Sequence, residues 1–164
     1  MKIAIVMGSD SDWSVMKSAV ELLKKFDIDF EITVASAHRT PKKVQKFVES
    51  SQNAGAKVFI AAAGCAAHLA GVVASYTICP VIGVPISSEP FKGFDSLFST
   101  VQMPPGIPVA TMAVNGAKNA ALFAVEILAA GDENVRQKLI DYRKNMETEI
   151  EKKDANIKKL AIDI

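Results

Sequence analysis

The chain alternates short apolar segments with segments whose apolar residues recur at helical spacing. Residues 2–7 form a strand-like run closed by Gly8, and a helical pattern then continues to Phe26. Further strand-like segments span residues 29–36, 57–64, 80–86 and 108–114, and further helical patterns span residues 41–54, 66–75 and 117–130. Thr40 and Pro41 are typical of a helix start, and Gly55 and Gly131 of helix ends. The order of segments is therefore strand, helix, strand, helix throughout.

This order predicts an α/β fold, because a parallel strand pair needs a crossover helix. We expect a three-layer αβα sandwich with a parallel five-stranded sheet of flavodoxin-like or Rossmann-like type. The near-continuous apolar strands agree with burial on both faces of that sheet. Nothing in the sequence suggests a repeat, a linker or a second domain, so residues 1–164 are predicted to form a single catalytic domain.

Two segments depart from the alternation. Residues 87–107 form a long connection rich in proline, and connections of that length are usually functional or ordered by a partner. Residues 132–164 predict an extra C-terminal helix of about twenty residues and a charged tail. A loose apolar stripe on this helix suits packing on a neighbouring subunit, and its members are Val135, Leu139, Ile140, Met146 and Ile150. We therefore expect a homo-oligomer.

Composition narrows the class of protein. Hydrophobic residues make up 49% of the chain, but the longest weakly polar run, residues 58–74, is rich in Gly and Ala and lacks an aromatic belt. We therefore expect no membrane span, and we attribute the apolar surplus to self-association. The net charge of +1 offers no field for nucleic acid. The chain begins without the pattern of a cleavable signal, so a cytoplasmic location is predicted. Cys65 and Cys79 are expected to be buried thiols.

Three polar or small-residue segments follow the first three strands, at the edge where parallel sheets bind ligands. The first, residues 8–13, contains two serines and two aspartates at the start of a helix. Free amides and hydroxyls there suit a phosphate, and Asp12 suits sugar hydroxyls. Helix capping would account for one of these four polar residues. The segment is neither a GxGxxG nor a Walker loop, so alone it identifies no ligand.

The second segment, residues 36–41, places His38 beside Arg39. A guanidinium binds phosphate or carboxylate with two parallel hydrogen bonds, and an imidazole exchanges protons at neutral pH. At the end of a strand, a structural and a catalytic role for His38 remain equally open on these grounds. In the third segment, residues 63–71, Gly64 and its alanine neighbours allow close approach of a flat ligand. His68, within the predicted helix, is expected to be a satisfied buried histidine or a wall of the pocket.

No Ser/His/Asp set, carboxylate pair or metal-binding cluster emerges from the sequence, so we expect proton-transfer chemistry without a cofactor or metal. A phosphorylation receiver domain is excluded, because it needs an Asp after the third strand and a Lys after the fifth. The chain has Gly64 and Asn115 there. A flavodoxin is disfavoured, since residues 8–13 are a poor substitute for its Thr-rich phosphate loop.

Several motifs in one order resemble the N5-carboxyaminoimidazole ribonucleotide mutase family (PurE) of purine biosynthesis. The resemblance runs from residue 3 to about residue 130, and its motifs are "VMGSDSDW", "SAHRTP", "AAHLAGVVA", "PVIGVP", "DSLFSTVQMPPGIPVAT" and "NAALFA". "SAHRTP", "AAHL" and "VQMP" are closer to the mutase branch (class I) than to the branch that carboxylates aminoimidazole ribonucleotide directly with carbon dioxide.

The resemblance implies an octamer of flavodoxin-like subunits that uses neither metal nor ATP. It implies that His38 is the general acid and base. Ser9, Ser11 and Asp12 are implied to hold the phosphoribosyl part, and Ser36 and Arg39 the phosphate. Gly64 is implied to face the imidazole, with His68 near. Cys65 departs from the family, which usually has a second glycine at this position.

Two alternatives remain open. One is direct carboxylation of aminoimidazole ribonucleotide with carbon dioxide, which would depend strongly on bicarbonate. The other is a non-catalytic nucleotide-binding subunit, against which the intact His38 and Arg39 weigh.

Overall fold

The computed structural model describes residues 1–162, in which five strands form one parallel sheet. The strands are β1 (Lys2–Met7), β2 (Asp29–Val34), β3 (Ala56–Gly64), β4 (Val81–Ile86) and β5 (Ala110–Thr111). Their order across the sheet is β2-β1-β3-β4-β5, and every neighbouring pair is parallel. This order is that of flavodoxin-like folds, and it confirms the predicted fold class.

Helices cover both faces of the sheet. They are α1 (Trp13–Lys25), α2 (Pro41–Asn53), α3 (Leu69–Ser75), α4 (Phe94–Val101), α5 (Ala117–Ala129) and α6 (Glu133–Ile162). One face packs against α1, α5 and the first turns of α6. The other packs against α2 and α3, with α4 over β4 and β5. Three layers result, as the strand and helix alternation predicts.

The centre of the sheet is buried on both faces. β3 lies between β1 and β4, and Val58 to Ala62 are at most 2% exposed. Its side chains alternate between the two apolar clusters, so Ile60 faces α1 and α5 while Phe59 faces α2 and α3. This double burial explains why the strand reads as a continuous apolar run.

The connection over residues 87–107 contains a helix that the sequence analysis missed. Helix α4 buries its polar residues Ser96 and Thr100, whereas Phe94 is 64% and Phe98 58% exposed. The hydroxyl of Ser96 donates to Ile86 O at 2.9 Å, and that of Thr100 donates to Ser96 O at 2.7 Å. The apolar spacing of α4 is present in the sequence, but the prolines around it are typical of a loop.

Three other boundaries differ from prediction. β5 has two residues instead of seven, because Pro108 lacks an N–H and only β4 pairs with this edge strand. α3 begins at Leu69 and not at residue 66, because Cys65 adopts a left-handed conformation with φ 53° and starts a turn. The C-terminal segment is one thirty-residue helix as far as Ile162, not a shorter helix and a tail. Residues 163–164 of the predicted tail lie outside the described residues.

Helix α6 packs against the rest of the fold only at its start. Val135 and Leu139 are buried against the core, and Tyr142 contacts Phe26 with ring centroids 5.3 Å apart. Lys138 Nζ donates to Phe26 O at 2.9 Å. Further along, the helix leaves its apolar side chains exposed, namely Ile140, Met146, Ile150, Ile157, Leu160 and Ile162. The predicted stripe is therefore divided between core and surface.

Among residues 1–162, no helix combines the length and apolarity needed to cross a membrane.

Substitution of Gly83 by Ala is expected to destabilise the fold. An added Cβ would lie 2.3 Å from Thr100 Cγ2 and 3.0 Å from Val109 Cγ1, so α4 must move away from β4. We expect the free energy of unfolding to fall by about 2 kcal/mol, measured by urea denaturation. The control is Gly131→Ala, where no heavy atom lies within 4 Å. Equal stabilities of the two variants would contradict the tight packing of α4.

Candidate functional site

The loops that follow β1 to β4 meet in one cavity at the carboxyl edge of the sheet. Its volume is about 600 Å³. The lining contains Ser9, Ser11 and Asp12 after β1, Ser36, His38 and Arg39 after β2, Gly64 after β3, and Ser87 and Ser88 after β4. Asn115, after β5, completes it. The sequence-predicted residues are therefore brought together, with the exception of His68.

The first loop is held by a capping box. Ser9 N–H donates to Asp12 Oδ2 at 3.0 Å, and Ser9 Oγ accepts from Ser11 N–H at 3.3 Å. Ser11 Oγ lies 2.9 Å from Ser9 Oγ. Capping thus accounts for two of the four polar residues, Ser9 and Asp12, and not for one as the sequence analysis expected. The two serine hydroxyls still lie at the cavity, where they can bind a ligand oxygen.

Asp12 is the buried charge of the site. The residue is 5% exposed, and burial raises the pKa of its carboxyl. Hydrogen bonds from the backbone of Ser9 and Gly8 and from the Ser11 side chain oppose that rise, and the nearby Asp10 carboxylate adds to it. The loop therefore fixes the Asp12 carboxyl in one position at the cavity wall.

The second loop is a tight turn between β2 and α2. Ser36 N–H donates to Thr40 Oγ1 at 3.0 Å, and Arg39 N–H donates to Ser36 Oγ at 3.2 Å. Arg39 Nη2 then donates to Gly8 O at 3.2 Å, which ties the second loop to the first. Because a guanidinium has five N–H donors, the exposed Arg39 keeps most of them available for an anion.

His38 lies at the cavity with an exposed side chain. Among residues 1–162, its ring has no hydrogen-bond partner in the protein, so both ring nitrogens are accessible to a ligand. Asp12 and Arg39 are the charged residues with which it shares the cavity lining. An accessible imidazole in a pocket otherwise lined by hydroxyls and small side chains can exchange a proton with a bound molecule.

The third loop brings the backbone close to the cavity at Gly64. A Cβ on Gly64 would make ordinary van der Waals contacts at the end of β4, 3.4 Å from Ile86 O and 3.8 Å from Ser88 Oγ, so Gly64 lies close to that strand. Cys65 follows with an exposed thiol at the cavity lining. The prediction of a buried thiol is therefore wrong for Cys65, because the left-handed turn after β3 directs this residue outward.

His68 is the N-cap residue of α3, whereas the sequence predicts it within the helix. Its Nδ1 lies 2.6 Å from Ser99 O, and its ring covers Gly71, where an added Cβ would lie 2.1 Å from Nε2. It is not among the residues that line the cavity. The imidazole thus connects α3 to α4, which agrees with the predicted satisfied histidine, but the residue is half-buried and not buried.

Ser87, Ser88 and Asn115 are cavity residues that the sequence analysis did not select. They follow β4 and β5, and the rule that ligands bind at the carboxyl ends of parallel strands would have found them. The long proline-rich connection after β4 and the predicted seven-residue length of β5 hide where these two strands end.

Replacing Asp12 by Asn is expected to stabilise the protein near neutral pH. Because the folded state raises the pKa of this carboxyl, it binds the proton more tightly than the unfolded state does. Its contribution to stability is complete below the ordinary pKa of 3.8 and is lost as pH rises through the folded value. The free energy of unfolding of Asp12→Asn, relative to wild type, should therefore increase as pH rises above about 4.

Urea denaturation between pH 3.5 and pH 7.5 measures this difference. Asp29→Asn, at an exposed carboxylate, is the control and should change stability by less than about 0.5 kcal/mol at each pH. A relative stability of Asp12→Asn that falls with rising pH would mean that the hydrogen bonds, and not burial, dominate at Asp12.

Comparison with known proteins identifies the family. The family model for AIR carboxylase matches residues 2–149. The chain is 53% identical to the N5-carboxyaminoimidazole ribonucleotide mutase of Pyrococcus abyssi over 88% of this chain and 83% of the relative. It is 49% identical to the Escherichia coli K12 protein of the same name, over 91% and 89% of the two chains.

A solved structure agrees with these sequence matches. The crystal structure of Treponema denticola PurE superposes with a TM-score of 0.86 at 29% sequence identity, and the match covers 94% of this chain and 97% of the other. The chain belongs to the AIR carboxylase family.

Proposed function

We propose that the protein is an N5-carboxyaminoimidazole ribonucleotide mutase, an isomerase of de novo purine biosynthesis. It moves a carboxyl group from the exocyclic nitrogen to ring carbon 4, giving 4-carboxy-5-aminoimidazole ribonucleotide. The name shared by relatives 49% to 53% identical to the chain supports this proposal. The structural observation that carries it is the single cavity in which an accessible imidazole and a guanidinium lie among hydroxyls.

In this proposal the phosphoribosyl part of the substrate binds the first two loops. Arg39 and the Ser36 hydroxyl hold the phosphate, because a guanidinium offers parallel donors to its oxygens. Ser9, Ser11 and Asp12 hold the rest of the phosphoribosyl part. The Arg39 bond to Gly8 O supports this arrangement, since it brings the two loops onto one side of the cavity. Gly64, which adds no side chain to the cavity lining, faces the flat imidazole ring of the substrate.

His38 carries the proton in both halves of the reaction. The bond between the exocyclic nitrogen and the carboxyl carbon breaks, carbon dioxide forms, and the nitrogen keeps the electron pair and takes a proton from His38. Carbon 4 then attacks the carbon dioxide, and the neutral imidazole removes the proton of carbon 4. The histidine returns to its starting state, and no atom is gained or lost, so one residue serves as acid and then as base.

The intermediate carbon dioxide must be retained by enclosure, because it is small and uncharged. The wall after β3 and β4 suits this need, since it consists of small or neutral residues such as Gly64, Ala67 and Ser88. His68 supports this wall from behind through its contact with Ser99 O, and in the proposal it does not touch the substrate.

Direct carboxylation of aminoimidazole ribonucleotide is the second candidate. The description of the matching family model, AIR carboxylase, is the observation that favours it. The same cavity would then bind the decarboxylated ribonucleotide first and take carbon dioxide from solution. Dependence on added bicarbonate separates the two reactions.

Replacing His38 by Asn is expected to lower kcat about a thousandfold, because the variant cannot transfer the proton. The assay follows formation of the carbon-4 carboxylated product from the N-carboxylated ribonucleotide without ATP. Substrate affinity, measured by calorimetry, should change little, since the polar amide suits this exposed position and the phosphate contacts remain. Lys42→Asn, at an exposed position on α2, is the control and should keep wild-type turnover.

Near-normal turnover by His38→Asn would assign the proton to another group. Wild-type activity that requires aminoimidazole ribonucleotide and high bicarbonate would favour the direct carboxylase instead.

The proposal extends to assembly and location. Residues 1–164 act as one catalytic domain in the cytoplasm, and the subunits form a homo-octamer. The exposed apolar residues support self-association, in particular the α4 patch, defined as Phe91, Phe94, Phe98 and Val101. The outer half of α6 packs on a neighbouring subunit, which would cover its exposed apolar side chains. The partner of each subunit is thus another copy, and its ligand is a small ribonucleotide.

Replacing Phe98 by Glu is expected to disrupt this assembly, because a charge would be buried at the contact. The mass of wild type, measured by sedimentation equilibrium, should be about eight times the chain mass of 17.6 kDa, and that of the variant should be lower. Lys46→Glu, on the exposed face of α2, is the control and should leave the mass unchanged. A wild-type monomer, or an unchanged mass for Phe98→Glu, would contradict the proposed contact.

A further inference from the structure

Asn115 holds the end of β4 by hydrogen bonds to the two residues that flank Ile86. Its backbone N–H donates to Pro85 O at 2.8 Å, and its side-chain Oδ1 accepts from Ser87 N–H at 2.9 Å. The residue has φ 60°, a left-handed conformation that asparagine tolerates better than most residues. The chain around Ile86 is therefore fixed from the β5 side, and α4 adds the Ser96 hydroxyl bond to Ile86 O.

This clamp sets the position of the Ser88 hydroxyl. Ser88 Oγ accepts from Cys65 N–H at 3.3 Å and lies 3.6 Å from Cys65 Sγ. Because β3 and β4 pair with Gly64 opposite Ile86, the hydroxyl lies on the turn that follows β3, at the cavity lining. A hydroxyl that accepts from a backbone N–H has its own proton available, so Ser88 can donate a hydrogen bond to a ligand in the cavity.

The chemistry of the reaction restricts what this donor can serve. The migrating group is a carboxylate at the start, neutral carbon dioxide in the middle and a carboxylate at the end. A cation at that position would stabilise the two carboxylates relative to carbon dioxide and so oppose the breaking of the first bond. A neutral hydroxyl remains a donor to the oxygen atoms in every stage. The neighbouring residues of the wall, Gly64, Cys65 and Ala67, are uncharged as well.

We propose, on the basis of the proposed function, that Ser88 determines specificity for the migrating carboxyl group. Its hydroxyl donates to a carboxyl oxygen and keeps the carbon dioxide next to carbon 4 until the new bond forms. Asn115 is the positioning residue, because its Oδ1 holds Ser87 N–H and thereby the turn that carries Ser88. Cys65 contributes its backbone N–H, which orients the Ser88 hydroxyl.

Loss of the hydroxyl should let carbon dioxide escape from the cavity before it bonds to carbon 4, a loss called leakage below. In Ser88→Ala, a larger fraction of the N-carboxylated ribonucleotide should end as free aminoimidazole ribonucleotide and carbon dioxide, and kcat/KM for the carboxylated product should fall about tenfold. Affinity for aminoimidazole ribonucleotide, which lacks the carboxyl group, should stay within about twofold of wild type. The two ribonucleotides are measured by chromatography, with an enzyme-free blank for spontaneous decarboxylation.

Two substitutions of Asn115 test the positioning role. Asn115→Gly keeps the left-handed conformation but removes the acceptor, so it should leak in the same way as Ser88→Ala. Asn115→Asp keeps both the conformation and the acceptor but adds a negative charge at the cavity, so its product fraction should lie between those of Asn115→Gly and wild type. Thermal unfolding of all three variants verifies that the comparison is between folded proteins.

The outcomes separate this inference from the proposed function. Wild-type conversion with an unchanged product fraction in Ser88→Ala would overturn the carboxyl role alone. An equal loss of affinity for aminoimidazole ribonucleotide would also overturn it, because Ser88 would then serve the whole ribonucleotide. Equal leakage by Asn115→Asp and Asn115→Gly would overturn the role of the amide oxygen. A wild type that forms no carbon-4 carboxylated product would overturn the proposed function, and this inference with it.

Discussion

The parallel pairing of β3 between β1 and β4 is the constraint on which the rest of the structure depends. Because all strands run in one direction, every loop that follows a strand emerges at the same edge of the sheet. The burial of β3 on both faces keeps that edge rigid, and its small residues Ala61 to Gly64 let the neighbouring loops approach closely. A cavity shared by loops far apart in the sequence follows from this geometry.

The loops themselves are held by hydrogen bonds, some within one loop and some between loops far apart in the sequence. Ser9 and Asp12 close the first loop, Ser36 and Thr40 close the second, and Asn115 fixes the end of β4. Such bonds orient backbone and hydroxyl donors without adding charge to the site. Neutral donors suit a reaction whose proposed intermediate is neutral, because they can bind both the carboxylates and carbon dioxide without strongly favouring the charged species.

Helix α4 joins the site to the surface. Its polar face is buried: Ser96 bonds to the end of β4, and Ser99 O accepts the contact from His68 behind the cavity wall. Its apolar face carries exposed phenylalanines, Phe94 and Phe98. In the proposed assembly, a neighbouring subunit covers that face, so the same helix that supports the cavity wall also forms a subunit contact. Association and the shape of the site would then be coupled through one element.

The sequence by itself determined the α/β order, the parallel sheet and the three segments that carry Ser9, His38 and Gly64, because these depend on apolar periodicity and on residue types next to one another in the chain. Only the tertiary structure decided that His68 lies outside the cavity lining and that Asn115 and Ser88 are held there by bonds from Ser87 and Cys65. Those placements depend on contacts across 23 to 31 positions, such as His68 to Ser99 and Cys65 to Ser88, and local patterns carry no information on such contacts.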